Sequence, residues 1–455
     1  MADFLTPEAS RLKAEARELL GAAELAWRSG DRARLPEALA ACGRAMVILP
    51  AEESAAELAA AGENPFRAVW ASAWLMRGRL LVAHDTPEAV VEGLRCFDQA
   101  VVRLGAELAV AGEAAKEELA VVWMNRGSAL LRLGDPGALK EAGHSYEQAI
   151  ALLDGQPVEF KNQNALGAAW MNRGVGLLRI GGEAEYAEAL QSLDTAIATL
   201  EPLAGAQPDA RRNLSSAWAN RGLVRALQDD AAGAVADHRQ AVATFRLLLQ
   251  GGEVLMQLEL AALLMNLGQA AGAAADTETA VEALREALAL TIPSEATDIR
   301  AARLSLRTRH VLGVKLGGLA AAGRVGAGLQ SERLAEASDL ADEGLAVART
   351  WEQRGRNLDG AGTRLFELGA WLYRTRQPQF LGEFLLEHVG DDPARMAIAG
   401  TAVQLARQAI VQRGFADVDA GGFARANLIL SSLGEVETRL RAIASAAGAD
   451  KPSGN

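Results

Sequence analysis

The stretch Trp123-Met-Asn-Arg-Gly127 recurs along this chain at nearly constant spacing. Three further copies keep the Trp and a fourth keeps only the frame. They read Trp74-Leu-Met-Arg-Gly78, Trp170-Met-Asn-Arg-Gly174, Trp218-Ala-Asn-Arg-Gly222 and Leu264-Met-Asn-Leu-Gly268. Successive copies lie 46 to 49 residues apart. A fixed period of this length is the signature of a repeat architecture.

A second motif, Tyr146-Glu-Gln-Ala-Ile150, follows the first one in every repeat. The distance from the motif Gly to the motif Ala is 22 residues in three repeats and 19 in the other two. The other copies are Phe97-Asp-Gln-Ala-Val101, Leu193-Asp-Thr-Ala-Ile197, His238-Arg-Gln-Ala-Val242 and Leu284-Arg-Glu-Ala-Leu288. Two motifs that stay in register five times indicate one structural unit, because chance matches would drift.

Each unit has the pattern of a helical hairpin. Trp123, Gly127 and Leu131 are four residues apart, which places them on one helical face, and a second amphipathic stripe begins near Tyr146. Turn residues at 134–137 separate the two stripes. A Gly inside a helix costs about 1 kcal/mol relative to Ala. Its recurrence at one phase therefore predicts that two helices cross closely, with the Tyr146-type residue packed beside the Gly.

The motif order Trp-x-Asn-x-Gly, turn, aromatic-x-x-Ala-Ile resembles the tetratricopeptide repeat over residues 62–292. The resemblance implies an all-α fold, an α-solenoid of antiparallel helix pairs that we expect to form one continuous right-handed superhelix. Two features depart from the family: the period is longer than 34 residues, and Arg replaces the usual apolar residue before the Gly. A HEAT-like helical array, with a period of about 40–47 residues, is the alternative.

The flanks predict further helices. We expect a degenerate repeat over 1–61, five repeats over 62–292, divergent helical repeats over 293–448 and a disordered tail over 449–455. In the C-terminal flank the pattern predicts helices at 331–354, 361–376, 378–389, 393–414 and 422–447. A short helix is expected within 50–65. The Gly-rich run 313–328 is interpreted as an inter-helix loop, with an anion site as the alternative.

Trp351-Glu-Gln-Arg-Gly355 copies the letters of the first motif but sits at the end of a predicted helix, outside the repeat register. We interpret this match as coincidence. Trp351 is therefore expected to contribute less to stability than Trp170, which lies in the middle of the array.

Composition and charge restrict the partners. The 455 residues include 46 Lys plus Arg and 58 Asp plus Glu, for a net charge of −12. This balance gives no field that attracts nucleic acid or an anionic membrane, so neither is expected as a partner. We expect no signal peptide and no membrane span. The two cysteines do not form a disulfide framework, which favours a cytoplasmic location.

A search for catalytic motifs finds none. The five His are scattered without metal-ligand spacing, and the Gly-rich run 313–328 is not followed by the Lys-Ser/Thr of a phosphate-binding loop. No nucleophile elbow occurs. We therefore expect no enzyme activity, no metal and no cofactor. Acid pairs such as Glu117-Glu118 are interpreted as solvated faces.

The Asn of the first motif lies two places after the Trp, which on a helix is about 200° away from it. If the Trp faces inward, the Asn residues form a ladder on the concave face, where tetratricopeptide proteins commonly bind peptides. An Asn amide offers two donors and an acceptor to an extended backbone; the alternative is that it bonds a neighbouring helix. The candidate binding residues are Asn125, Asn172, Asn220 and Asn266, with Met124, Met171 and Met265 beside them.

The Trp and Arg positions of the motif are candidate structural ladders. Acids recur in the second helices at Asp98, Glu147 and Asp194, so each Arg is expected to pair with a carboxylate within or between repeats. The alternative is that the Arg residues bind a ligand. The ladder positions are Trp74, Trp123, Trp170, Trp218, Arg77, Arg126, Arg173 and Arg221.

The sequence is consistent with two functions. The first is a non-catalytic scaffold or adaptor that binds a protein segment in the concave groove. The second is a regulatory or sensing subunit that acts on a separately encoded enzyme through its C-terminal helices.

Overall fold

The computed structural model describes residues 7–29, 32–50, 66–111, 113–154, 160–249, 254–322, 327–356, 358–412 and 420–449. All regular elements in these ranges are helices, as predicted. The short helix expected within 50–65 and nearly all of the tail expected from 449 lie outside the described residues. The loop expected at 313–328 is mostly wrong, because 313–321 belong to a helix and 327–328 begin the next one, while 323–326 lie outside the described residues. No helix in the described ranges is long and apolar enough to cross a membrane.

The chain divides into two compact units, Met1–Leu248 (unit 1) and Leu249–Asn455 (unit 2). The described helices of unit 1 are α1 Pro7–Arg28, α2 Leu35–Ile48, α3 Arg67–Ala83, α4 Pro87–Ala111, α5 Glu113–Leu133, α6 Pro136–Leu153, α7 Phe160–Ile180, α8 Glu183–Leu200, α9 Pro208–Leu227 and α10 Ala231–Arg246. Those of unit 2 are α11 Val254–Ala273, α12 Thr277–Thr291, α13 Ile299–Ala321, α14 Ala327–Gln353, α15 Ala361–Arg376, α16 Leu381–His388, α17 Pro393–Gln412 and α18 Ala420–Ala449.

Unit 1 is an α-solenoid of antiparallel helix pairs. From α3 onward, the first helix of each pair carries the Trp motif and packs along the second helix of its own pair, which in turn packs against the first helix of the next pair. Its apolar residues form several small clusters, each shared by neighbouring helices. Contacts that run only between neighbours are the mark of a solenoid.

The motif Gly marks the place where the two helices of a hairpin cross. A Cβ on Gly127 would lie 2.7 Å from Cζ of Tyr146, and one on Gly222 would lie 2.9 Å from Cε1 of His238. The corresponding contacts at Gly78, Gly174 and Gly268 are equally close. The predicted steric reason for this Gly is therefore confirmed, since any other residue would push the bulky side chain away.

The turn between the helices of a hairpin is fixed by local backbone chemistry. Gly134 has φ +73°, a left-handed conformation that favours Gly and ends α5. Asp135 then caps α6 by accepting hydrogen bonds from the backbone N–H groups of Gly137 and Ala138, both at 3.0 Å. Pro136 occupies the first turn of α6, where its missing N–H costs nothing.

Unit 2 continues with the hairpins α11/α12 and α13/α14, followed by the four helices α15 to α18. α15, α17 and α18 begin and end within two residues of the predicted bounds. α16 begins three residues later than predicted, because residues 378–380 form a 3-10 turn ahead of it. One core is built from α13 to α18 and includes Leu365, Phe366 and Leu433.

The expectation that Trp351 contributes little to stability conflicts with its place in this core. It occupies the last turn of α14, outside the repeat register as interpreted, but only 7% of it is exposed. Its indole Nε1 donates a hydrogen bond to the carbonyl of Glu295 at 2.8 Å. Trp351 is buried although it lies outside the register, because the core of α13 to α18 packs on the C-terminal end of α14.

Candidate binding groove

A groove of about 520 Å³ runs across the first helices of unit 1. Its walls come from α1, α3, α5 and α7, and its floor includes two leucines from second helices. Its lining contains both polar and apolar residues. Among them are Arg17, Glu24, Ser72, Arg79, Glu117, Glu118 and Val121 from the walls, with Leu104 and Leu153 on the floor.

Arg79 is the cation held most firmly in the groove. Its Nε donates to Oδ1 of Asn125 at 3.3 Å, and its guanidinium lies 5.1 Å from the ring centroid of Trp27. Burial lowers the pKa of Arg79, an effect that the charge of Glu24 opposes. Among the described residues no carboxylate forms a salt bridge with Arg79, and the residue lines the groove.

The Asn residues of the motif fall into two classes. Asn125 is engaged twice, because its Nδ2 donates to the carbonyl of Val121 at 2.7 Å and its Oδ1 accepts from Arg79. Asn172 and Asn220 are half-buried, and their side chains make no hydrogen bond to the described residues. Asn266 is also half-buried, but it lies in unit 2.

The Met residues are packing groups to different degrees. Met124 and Met171 are half-buried and pack against apolar clusters that also contain Trp170. Met265 is only 3% exposed and belongs to the core. Its place in the candidate surface is therefore corrected, because a partner cannot reach it.

The Trp ladder packs between repeats rather than at the centre of one hairpin. Trp123 contacts two clusters, one shared with the preceding hairpin and one with the following hairpin. Trp170 and Trp218 pack against the cluster around Leu214. All four motif Trp residues are half-buried, so each couples neighbouring hairpins while one edge stays accessible.

The Arg ladder joins three helices at each step. Arg126 donates to Asp98 at 2.9 Å in the preceding hairpin, and to Glu141 at 3.2 Å and Ser145 at 2.9 Å in its own. Arg173 repeats the arrangement. Its partners are Glu147 at 3.2 Å, Glu188 at 3.1 Å and Ser192 at 2.8 Å.

The fourth repeat replaces this arrangement with a buried ion pair. Arg221 donates to Asp194 at 2.5 Å and to Asp237 at 2.7 and 2.9 Å, and Arg225 reaches the same Asp237 at 3.1 Å. The side chain of Asp237 is only 2% exposed. Burial lowers the pKa of Arg221, but its hydrogen bonds to the two carboxylates raise it more, so the pKa lies above its usual value.

The sequence analysis missed the residue just before the aromatic position, although aligned motifs reveal it. In four repeats this residue can hydrogen-bond, and in the fifth it is Ala283, where Leu267 replaces the Arg. The Arg and its partner are thus absent together. The four partners are Cys96, Ser145, Ser192 and Asp237.

Buried titratable groups in unit 1 serve packing. Burial raises the pKa of Cys42 and of Cys96 to about 11, with Arg77 opposing the shift in both, so neither is a reactive thiolate at neutral pH. Burial lowers the pKa of His238 to about 4, which keeps its ring neutral against Gly222. No group of residues suited to hold a metal ion is found in the described part of the chain.

The comparisons with known proteins find similarity in fold only. No family model and no curated protein matches the chain. The repeats are helical hairpins in which a Gly meets a bulky side chain, and Trp and Arg ladders join one hairpin to the next. The chain has a tetratricopeptide-like fold.

Several solved structures are similar to this tetratricopeptide-like chain. Rap protein complexed with Competence and Sporulation Factor matches with 12% identity over 95% of this chain and 99% of its own, at a TM-score of 0.45. The apo form of RapI matches with 10% identity over 82% and 98%, at 0.47. The apo form of the quorum sensor NprR from B. thuringiensis matches with 12% identity over 92% and 99%, at 0.46.

Proposed function

We propose that unit 1 is a non-catalytic interaction module, a scaffold or adaptor that holds an extended segment of a partner protein in its groove. The observation that carries the proposal is the groove itself, which crosses four first helices and combines apolar lining residues with polar and charged ones. A site of this composition can bury apolar side chains while its walls hydrogen-bond a backbone.

The unengaged amides of Asn172 and Asn220 support the same proposal. Asn172 lies seven residues after the groove residue Ala165, which places both on one face of α7. Asn220 holds the same repeat position on α9. The proposed surface therefore continues beyond the groove along two further amides, while Asn125 helps to fix Arg79.

The arrangement favours a segment in extended conformation. Each Asn amide can donate to one backbone carbonyl and accept from one backbone N–H, which demands no particular side chain. Specificity would then come from the charged walls, where Arg17 and Arg79 lie among Glu24, Glu117 and Glu118. The acid pair Glu117-Glu118, which the sequence pattern assigned only to a solvated face, would thus contribute to the specificity of binding.

Replacing Asn172 and Asn220 together by Ala is expected to weaken binding about five- to a hundredfold, since each hydrogen bond contributes about 0.5–1.5 kcal/mol. The measurement is the affinity for a synthetic peptide that covers the binding segment of a partner recovered from lysate. Far-UV circular dichroism should be unchanged, because the two amides make no internal hydrogen bond.

The matched control removes two amides from second helices of the same unit, Gln191→Ala with Gln240→Ala. Both residues are exposed on α8 and α10. The control should bind like the unchanged protein. Equal weakening in both double variants, or unfolding of the Asn variant alone, would count against binding through the Asn amides.

A second candidate is a regulatory or sensing subunit that acts through its C-terminal helices. The observation that favours it is a separate cavity of about 490 Å³ within unit 2. Partner binding that survives the two Asn replacements but is lost on removal of 293–455 would support this function over the first.

A further inference from the structure

The cavity of unit 2 lies between α14, α15 and α16 and has the size of a small-molecule site. Three aromatic side chains, Tyr373, Phe380 and Phe384, contribute to its lining, and the rings of Tyr373 and Phe384 stack at 4.7 Å. Phe380 is 48% exposed at the 3-10 turn before α16. The three aromatic rings of this lining suit the apolar body of an organic ligand.

One carboxylate of the cavity is only half satisfied. Tyr373 donates its hydroxyl to Oδ2 of Asp342 at 2.8 Å, whereas Oδ1 is buried and has no hydrogen-bond partner among the described residues. Nε2 of His388 lies 3.9 Å from this oxygen, too far for a hydrogen bond. A buried acceptor without a donor costs free energy, and the charge of this carboxylate is left poorly compensated, so a cation placed beside it would be stabilised.

The neighbouring basic groups do not neutralise this oxygen. Nη2 of Arg349 lies 2.9 Å from Nδ1 of His388 and also donates to the carbonyl of Glu387 at 3.1 Å. Because Arg349 can only donate, Nδ1 of His388 accepts, and the ring is neutral with its proton on Nε2. Burial accordingly lowers the pKa of His388.

The charge of the lining selects among ligands. Asp342, Glu383 and Glu387 contribute three carboxylates, and Arg349 is the one guanidinium among the lining residues. A positive group near Asp342 would meet a charge-assisted acceptor and the faces of nearby aromatic rings, which attract cations. An anion would meet three carboxylates.

We propose that the cavity of unit 2 binds a small organic cation, a primary ammonium on an apolar body, with the ammonium group beside the partly exposed carboxylate of Asp342 and the apolar part against Tyr373, Phe380 and Phe384. This site is separate from the groove of unit 1. It assigns a ligand chemistry to a part of the chain that the groove does not use.

Calorimetric titration of the full-length protein at pH 7.5 tests the proposal with three probes of equal length, hexylammonium, hexanol and hexanoate. Hexylammonium is expected to bind, hexanol at least about tenfold more weakly, and hexanoate not measurably. Hexanol or hexanoate binding as tightly as hexylammonium would overturn the proposal, as would no binding of hexylammonium at millimolar concentration.

Asp342→Asn keeps the shape of the side chain and removes its charge, so hexylammonium should bind at least about tenfold more weakly. Asp339→Asn is the matched control, because Asp339 is exposed on the same helix and does not line the cavity. The affinity of this control variant for hexylammonium should stay within about twofold of that of the unchanged protein. Equal affinities of the Asp342 variant and the unchanged protein would overturn the proposal.

If Asp342→Asn fails to fold, a second variant tests the proposed cation site. Glu383→Gln with Glu387→Gln alters two exposed residues on α16 that line the cavity and face solvent. It should lower the affinity for hexylammonium severalfold and leave helix content unchanged. An unchanged affinity in this folded variant would overturn the assignment of a cation site.

Discussion

Trp351→Ala should lower the free energy of unfolding of unit 2 by about 3–5 kcal/mol, the usual range for removing a buried Trp. The indole is 7% exposed, packs in the core built from α13 to α18, and donates to the carbonyl of Glu295. Its loss would leave a cavity and an unpaired backbone acceptor together. Urea denaturation followed by far-UV circular dichroism measures the change.

Trp170→Ala is the comparison for this prediction. Trp170 is half-buried between two hairpins of unit 1. Its replacement should lower the free energy of unfolding by less than Trp351→Ala does, because Trp170 buries less apolar area. This order is the reverse of the one that the sequence register predicts. A larger loss at Trp170 would show that the register, and not burial, determines the stability contribution.

Asp237→Ala should lower the free energy of unfolding of unit 1 by about 3–5 kcal/mol, because it removes the one buried carboxylate between two guanidinium groups. Asp237 is 2% exposed and bonds both Arg221 and Arg225. Without it Arg225 retains one carboxylate, Asp230 at 3.9 Å, and the carbonyl of Gly233 at 3.4 Å, so its charge is poorly compensated.

Asp98→Ala is the matched control, since Asp98 also pairs with a ladder Arg but is 54% exposed. An exposed ion pair contributes about 0–1 kcal/mol, so this change should be nearly silent. Urea denaturation of both variants gives the comparison. If Asp98→Ala costs as much as Asp237→Ala, the Arg ladder stabilises through charge alone and not through burial.

The sequence could predict the hairpins because their determinants are local and repeated. The Gly of the first motif and the aromatic residue of the second meet within one hairpin, so a fixed spacing in the sequence implies a fixed contact. The carboxylates opposite Arg126, Arg173 and Arg221 could be predicted for the same reason, since they recur in register with the Arg residues.

What the sequence could not predict depends on residues without a repeated partner. Asp237 differs chemically from Ser145 and Ser192 at the same repeat position, so its burial between two Arg residues is particular to one hairpin. The hydrogen bonding of the ladder Asn residues also varies between repeats. Among the described residues, only Asn125 accepts a hydrogen bond from an Arg side chain, that of Arg79.

In unit 2 the helices could be predicted from the sequence but their packing could not. Its C-terminal helices could be placed from their apolar stripes, but their packing order could not, because no repeat relates α14 to α16. The approach of Asp342, Tyr373 and His388 to one cavity is therefore visible only in the structure.

The central claim is that the groove of unit 1 holds a partner segment, and site-specific photo-crosslinking in cells tests it most directly. A photoreactive amino acid at Ser72 lies in the groove, and one at Gln191 lies on an exposed face of a second helix in the same unit. We predict a covalent adduct with a partner protein at Ser72 and none at Gln191, and loss of the Ser72 adduct when Asn172 and Asn220 are replaced by Ala. Adducts at Gln191 with none at Ser72 would contradict the account.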